Sequence, residues 1–135
     1  MHTKMRVIPT LPASDVERAR RFYQDTLGFE LEGKAPDGSY LFRAGDGHFA
    51  VYETSAPRGG NTAISFSSDH FDSEVEEFRR RGVKFEEYPD LPGTTWDNGV
   101  ATYMGGRGFW FTDSEGNILA VMDGNFWEKQ MSKAA

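Results

Sequence analysis

The sequence predicts an α+β fold in which one order of elements, strand, helix and three strands (βαβββ), occurs twice. Three observations support this prediction: short alternating apolar segments typical of strands, two amphipathic segments typical of helices, and a glycine at the end of each helical segment. The two glycines, Gly28 and Gly82, occupy corresponding places in the two halves of the chain. We therefore expect a single domain, residues 1–135, with an internal duplication.

The first half predicts each of these elements in turn. A strand is expected at 5–11, and a helix follows that begins at the capping box Ser14-Asp15-Val16-Glu17 and ends at Gly28. Three strands are expected at 29–32, 40–44 and 49–54, because turns rich in Gly and Asp separate these apolar segments. These elements form module 1, at about 1–58.

The second half repeats the order as module 2, at about 59–124. A strand at 62–67 precedes a helix with Phe71, Val75 and Phe78 on one face, a second capping box at Ser73 and Glu76, and its end at Gly82. Strands are then expected at 83–88 and 100–104, with a loop between them. A tail at 125–135 is expected to add one or two helical turns or a dimer contact.

The clearest hairpin lies at 109–122, where the polar turn 113–117 separates two apolar runs. Because side chains alternate along a strand, Ile118, Ala120 and Met122 share one side of the last strand.

Composition excludes several classes of protein. The chain has 135 residues, of which 38% are hydrophobic, enough for one domain with a buried core. It carries 21 Asp and Glu against 15 Lys and Arg, a net charge of −6, so its average field repels nucleic acid. Without cysteine, it has no disulfide and no thiolate. The opening residues lack the apolar core of a signal peptide, and no run reaches the roughly 18 apolar residues of a membrane span. We expect a cytoplasmic protein without nucleic-acid or membrane partners.

Four segments of the sequence resemble a known family. They are LPASDVERARRFY at 11–23, LGF at 27–29, RGVKF at 81–85 and WFTDSEGNIL at 110–119. Together they resemble the vicinal oxygen chelate superfamily, also called the glyoxalase, bleomycin-resistance and extradiol-dioxygenase family; Ser114 stands where the family usually has Pro. The resemblance implies two βαβββ modules whose sheets curl around a cup that holds a ligand.

The resemblance also implies where metal-dependent members bind their ion. They carry a His or Gln on the first strand, a Glu on the fourth, a His on the fifth and a Glu on the eighth. In this sequence the first and last positions fall at Ile8 and Ala120, the fourth-strand position near Val51, and the fifth-strand position within Asn61 to Ala63, with Ala63 the best match by counting. At least three of the four positions therefore carry side chains that do not bind metal. We interpret His2, His48 and His70 as surface or capping side chains, and we expect no cofactor and no catalytic residue.

Aromatic and small neutral side chains are expected to line the cup. Alternation and loop position select eight residues, namely Thr10, Phe49, Val51, Ala63, Trp96, Tyr103, Trp110 and Ala120. Such a set suits a flat hydrophobic or aromatic ligand, because ring contacts each add roughly 0.5–1.5 kcal/mol beyond burial. The alternative is that the aromatic residues fill an ordinary core between sheet and helices.

These observations predict a metal-free small-molecule binding protein. It would resemble the bleomycin-resistance branch, whose members sequester an antibiotic or natural product, often between two subunits, so a homodimer is expected. Two alternatives stay open. One is an enzyme of the same fold, either a lyase or dioxygenase with a displaced metal site or a metal-free isomerase. The other is a regulatory or structural paralogue with a closed core.

Overall fold

Two sheets, each covered by a helix, organise the chain. The computed structural model describes residues 8–55, 61–103 and 105–124. One unit comprises the chain up to Ala63 together with the turn Asp113–Asn117, and the other comprises Ile64–Thr112 and the chain from Ile118 onward. The predicted strand start at 5–7, Met104 and the tail at 125–135 lie outside the described residues. Within the described ranges, no helix has the length and apolar character needed to cross a membrane.

The first unit has the predicted βαβββ order. Its elements are β1 (Thr10–Ala13), α1 (Val16–Arg21) continued by a π-helical turn (Phe22–Thr26), β2 (Glu30–Lys34), β3 (Tyr40–Ala44) and β4 (Gly47–Glu53). The strands lie in the order β1-β4-β3-β2, with β1 parallel to β4 and the remaining pairs antiparallel. Within the described part of the predicted strand at 5–11, residues 8 and 9 are not in a strand, and β1 continues to Ala13.

The start of α1 corrects the predicted cap. Asp15, not Ser14, is the N-cap, since its Oδ1 accepts the backbone N–H of Arg18 at 3.0 Å. The hydroxyl of Ser14 instead donates to the carboxylate of Glu115 at 2.9 Å. The helical segment ends before Gly28, as predicted, and Gly28 has a φ of 79°, which glycine adopts at little cost.

One face of the first sheet packs against the helical segment through aromatic rings. The ring of Phe49 lies 5.1 Å from that of Tyr23 and 5.3 Å from that of Phe42, measured between centroids. All three side chains are fully buried, as are Leu11 and Val51. This layer forms the core of the first unit.

The turn Asp113–Asn117 belongs to the first unit, and three of its polar residues, Asp113, Glu115 and Asn117, are buried. The carboxylate of Asp113 accepts the hydroxyl of Tyr23 at 2.6 Å and the backbone N–H groups of Glu115 and Asn117, both at 2.8 Å. The amide of Asn117 donates to the carbonyl of Pro12 at 2.8 Å. Hydrogen bonding of this kind offsets the cost of burying polar groups.

The Glu115 side chain is fully buried and receives several hydrogen bonds. Arg18 donates through Nε at 2.7 Å and through a terminal nitrogen at 3.0 Å. The hydroxyls of Ser14 and Ser114 and the backbone N–H of Asp15 donate at 2.9 Å each. Burial raises the pKa of Glu115, but these hydrogen bonds outweigh burial and lower the pKa from 4.5 to about 2.

The second unit contains β5 (Thr62–Ser68), α2 (Phe71–Arg80), β6 (Thr94–Asp97), β7 (Val100–Tyr103), β8 (Gly106–Thr112) and β9 (Ile118–Asp123). Its strands lie in the order β5-β9-β8-β7-β6. The hairpin of β8 and β9 confirms the prediction at 109–122, and its register places Trp110 directly opposite Ala120. Phe109 and Phe111 project from β8 towards Phe78 of α2, with ring centroids 5.2 and 5.4 Å away.

Three predictions for the second unit are wrong. The segment 83–88 forms a single bridge, between Glu86 and Trp110, because β7 already pairs with β8 over Gly106–Gly108. Residues 94–97, expected in a loop, form β6. Ser73 lies inside α2, whose N-cap is His70, so the second capping box does not start the helix.

Acidification should reveal the contribution of Glu115 to stability. A carboxyl with a lowered folded-state pKa stabilises the fold fully above about pH 4.5, and this contribution is lost as the pH falls towards 2. Since each pKa unit corresponds to roughly 1.4 kcal/mol, we expect a loss of about 2–3 kcal/mol across this window. Urea unfolding at several pH values would measure it.

The variant Glu115→Gln, which has no carboxyl to titrate at this position, should show a flatter dependence of unfolding free energy on pH. Glu76→Gln, on the exposed surface of α2, is the matched control and should keep the original slope. Equal slopes for the wild type and Glu115→Gln would contradict the assignment.

Candidate functional site

The face of the second sheet turned away from α2 carries several aromatic side chains. Directly paired residues on antiparallel strands project to the same side. Trp110 therefore shares a side with Ala120, and Trp96 shares one with Ala101. The pairing of Ala101 with Gly108, two residues before Trp110, shows that these are the same side. Tyr103, two residues after Ala101, also projects there.

The rings on this face contact one another. The centroid of Trp110 lies 5.8 Å from that of Trp96 and 6.0 Å from that of Tyr88, and Tyr88 lies 6.3 Å from Trp96. Tyr103 and Trp110 pack against a buried pair of smaller side chains, Ala120 and Met122. We call this group the aromatic patch: Tyr88, Trp96, Tyr103, Trp110, Ala120 and Met122.

Small residues in the strands make room for the patch. Gly108 lies opposite Met122, and a Cβ on Gly108 would come within 2.7 Å of the Met122 sulfur. Ala120 lies opposite Trp110 and is almost completely buried. The pairing of large with small side chains across β8 and β9 therefore allows close packing on this face.

The indole nitrogen of Trp96 is the polar atom that the patch leaves unsatisfied. Nε1 is buried and, in the part of the chain that the structure describes, finds no hydrogen-bond acceptor. An indole N–H can only donate, and a buried donor without a partner costs roughly 1–3 kcal/mol. An acceptor from a ligand would remove this cost if the groups that cover Nε1 moved apart on binding.

Burial and the nearby carboxylate of Glu86 raise the pKa of Tyr88, so its hydroxyl stays protonated at neutral pH. The patch therefore presents neutral rings. It can stack on a flat apolar group and donate hydrogen bonds.

Of the eight residues that the sequence selects as lining, the structure brings four together. Trp96, Tyr103, Trp110 and Ala120 all belong to the aromatic patch. Sequence reasoning did not select Tyr88, which reaches the patch because Glu86 forms a bridge with Trp110 and Tyr88 projects to the same side as Glu86. Ala63 lies exposed on β5.

The other predicted lining residues lie on the first sheet. Phe49 and Val51 face α1 in the packed core and not an open surface. Thr10 is exposed on the opposite face, where it pairs with Ala50. Ala50 helps to line a groove of about 430 Å³ together with Leu41. On β4 the open side therefore carries residues 48, 50 and 52, which is one residue out of step with the prediction.

A second groove, of about 370 Å³, lies beside α2. Its Arg107 donates to Asp72 at 2.9 Å and to Asp123 at 3.2 Å, and its guanidinium lies 4.8 Å from the ring centroid of Phe71. Because both acids neutralise this guanidinium, the groove presents no unpaired Arg107 charge to a ligand.

The four positions that the resemblance assigns to metal ligands do not fit a metal ion. Ile8 is 50% exposed, whereas Val51 and Ala120 are buried apolar side chains. Across residues 8–55, 61–103 and 105–124, no three His, Asp or Glu side chains are grouped so that they could hold an ion. On β4, Glu53 accepts the backbone N–H of Val16 and lies five residues from His48, on the other face.

The fold is similar to that of several solved structures. A lactoylglutathione lyase from Agrobacterium tumefaciens has 21% identity and a TM-score of 0.65, with 92% of this chain and 96% of that chain covered. TnmS3, an antibiotic binding protein from Streptomyces, has 22% identity and a TM-score of 0.61, with 90% and 98% covered. The fosfomycin resistance protein FosX from Listeria monocytogenes, in complex with Mn(II), has 18% identity and a TM-score of 0.67, with both chains fully covered.

A comparison with curated proteins gave no match. The sequence model of one family matches residues 6–121, nearly the whole chain. The chain therefore belongs to the Glyoxalase/Bleomycin resistance protein/Dioxygenase superfamily.

Proposed function

We propose that the protein binds a small hydrophobic or aromatic compound on the aromatic patch, without a metal, and sequesters it as antibiotic-binding members of the superfamily do. The observation that carries this proposal is the clustering of four aromatic rings on one sheet face above the small side chain of Ala120. Rings of this kind bind flat ligands by stacking and by edge contacts, each worth roughly 0.5–1.5 kcal/mol beyond burial.

The unsatisfied N–H of Trp96 supports a ligand with an oxygen or nitrogen acceptor close to its ring system. Sites for small molecules typically combine apolar walls with a few polar groups that fix orientation. Here Trp96 would supply both, since its ring centroid lies 5.8 Å from that of Trp110 and its Nε1 is a donor without a partner in the described residues. A natural product with a quinone, lactone or amide group has the required chemistry.

The residues at the implied metal positions favour binding over metal-assisted catalysis. FosX is described with Mn(II) and TnmS3 as an antibiotic binding protein, so the fold accommodates both roles. In this chain Ala120 and Ala63 provide no ligand atoms. We also propose, from the resemblance, that the domain comprises modules at about 1–58 and 59–124 and acts as a cytoplasmic homodimer, which light scattering would test.

Ligand binding should depend on the ring of Trp110. In a fluorescence screen of flat aromatic natural products, we expect hits to quench the tryptophan emission of the wild type. Trp110→Ala should weaken binding of these hits by at least about tenfold, since it removes one ring contact and its buried area. Trp110→Phe keeps a ring and should retain most of the affinity. Unchanged affinity in Trp110→Ala, with a folded variant by circular dichroism, would remove the patch from the site.

The role of Trp96 as a donor can be separated from its role as a ring. Trp96→Phe removes the buried N–H, so the free energy of unfolding should stay unchanged or rise slightly. The same variant should bind ligands with an acceptor about five- to tenfold more weakly, as expected for one lost hydrogen bond. Ligands without an acceptor should be unaffected. Equal losses for both ligand types would show that only the ring matters.

The metal-free proposal predicts a substoichiometric metal content. Purified untagged protein would be incubated with Zn²⁺, Ni²⁺, Mn²⁺ or Fe²⁺, desalted and analysed by inductively coupled plasma mass spectrometry. We expect no tightly held ion in any sample. A stoichiometric ion in any of them would overturn this proposal and make a metal-dependent enzyme the leading hypothesis.

A further inference from the structure

The carboxylate of Glu86 lies on the same side of the sheet as the aromatic patch. Glu86 and Trp110 form an antiparallel bridge in which the N–H of Glu86 donates to the carbonyl of Trp110 at 2.8 Å. Such directly opposed residues project to the same side. The contact of Tyr88 with Trp110 confirms the alternation, because Tyr88 lies two residues after Glu86. Phe85, one residue before Glu86, projects to the opposite side and stacks on Phe109 on the α2 side.

This carboxylate is half-buried and has no partner in the described part of the chain. The next residue, Glu87, does have a partner, since its carboxylate accepts the backbone N–H of Gly99 at 2.8 Å on the other side of the sheet. Lys84 also projects to the patch side but is exposed and forms no ion pair with Glu86. The negative charge of Glu86 interacts with the patch, since it adds to the effect of burial in raising the pKa of Tyr88.

We propose that the aromatic patch and Glu86 together bind the cationic end of an organic ammonium compound, such as a quaternary or N-alkylated amine. Rings with differently inclined planes and a nearby carboxylate are the groups that recognise such ions. The rings of Tyr88, Trp96 and Trp110 are inclined to one another by between 54° and 84°. This inference rests on the proposed function and adds the charge of the ligand to it.

An alkylated ammonium group suits this site better than a primary one. Its charge is spread over methyl groups, which lose little hydration when they contact aromatic faces. The carboxylate of Glu86 then balances the charge at close range without having to form a hydrogen bond. The net charge of −6 adds a weak attraction at a distance.

A matched pair of probes tests the role of charge. Phenyltrimethylammonium and tert-butylbenzene have the same shape, but only the first is charged. Isothermal titration calorimetry with the full chain should show the cation binding about five- to thirtyfold more tightly than the neutral probe, the ratio expected from cation–π contacts. In Glu86→Gln the affinity for the cation should fall about fivefold and that for the neutral probe should not change. Glu76→Gln, on the exposed surface of α2, should behave as the wild type.

The outcomes separate this inference from the function on which it rests. Equal affinities for the two probes, or an equal loss for both in Glu86→Gln, would overturn the cationic ligand and leave aromatic binding in place. Absence of binding by both probes would overturn the cationic ligand, and if the natural-product screen also gave no hits, the binding function would fail as well. Tyr88→Leu adds a second check, because it keeps an apolar side chain but should selectively weaken binding of the cation.

Discussion

The buried carboxylate of Glu115 is the constraint on which the first unit depends. A charge without exposure to water needs a partner for each of its oxygens, and Ser14, the backbone of Asp15 and Arg18 supply them from the start of α1. The carboxylate of Asp113, two residues before Glu115, is also buried, and the hydroxyl of Tyr23 donates a hydrogen bond to it. Segment 11–23 and the turn 113–117, both within segments that carry the resemblance to the family, are therefore two sides of one hydrogen-bond network. None of these groups belongs to the aromatic patch, so the resemblance identifies a superfamily without identifying a ligand.

Whether the sequence predicts which side of a strand faces the core depends on whether a local turn fixes the register of that strand. The turn at 113–117 fixes the hairpin locally, so the pairing of Trp110 with Ala120 could be anticipated from the sequence. Strand β4 has no comparable marker of which side faces the helix. From the sequence, Phe49 and Val51 are as compatible with a ligand pocket as with a core. In the structure both are buried, and the ring of Phe49 contacts that of Tyr23.

The rest of the candidate site depends on pairing between distant segments. A local pattern cannot reveal that β7 occupies the edge of β8 up to Gly108 and leaves only Trp110 for the segment 83–88. Because β7 pairs with β8, the segment 83–88 forms one bridge instead of the predicted strand. This bridge places Glu86 beside Trp110, and Tyr88 contacts both Trp96 and Trp110. Likewise, Trp96 was expected in a loop and owes its orientation to its strand pairing with Ala101.

Position 120 belongs to the aromatic patch and is also the place where the resemblance implies a metal-binding glutamate. A glutamate at this buried position would need a cation to compensate its charge. Alanine removes that need, and its small side chain lets Trp110 lie against the strand with Met122 and Tyr103. A glutamate at position 120 would interact with a cation, whereas Ala120 packs against apolar side chains. Glu86, which projects to the side of the patch, is only half-buried, so a bound organic cation can approach its carboxylate without complete loss of water.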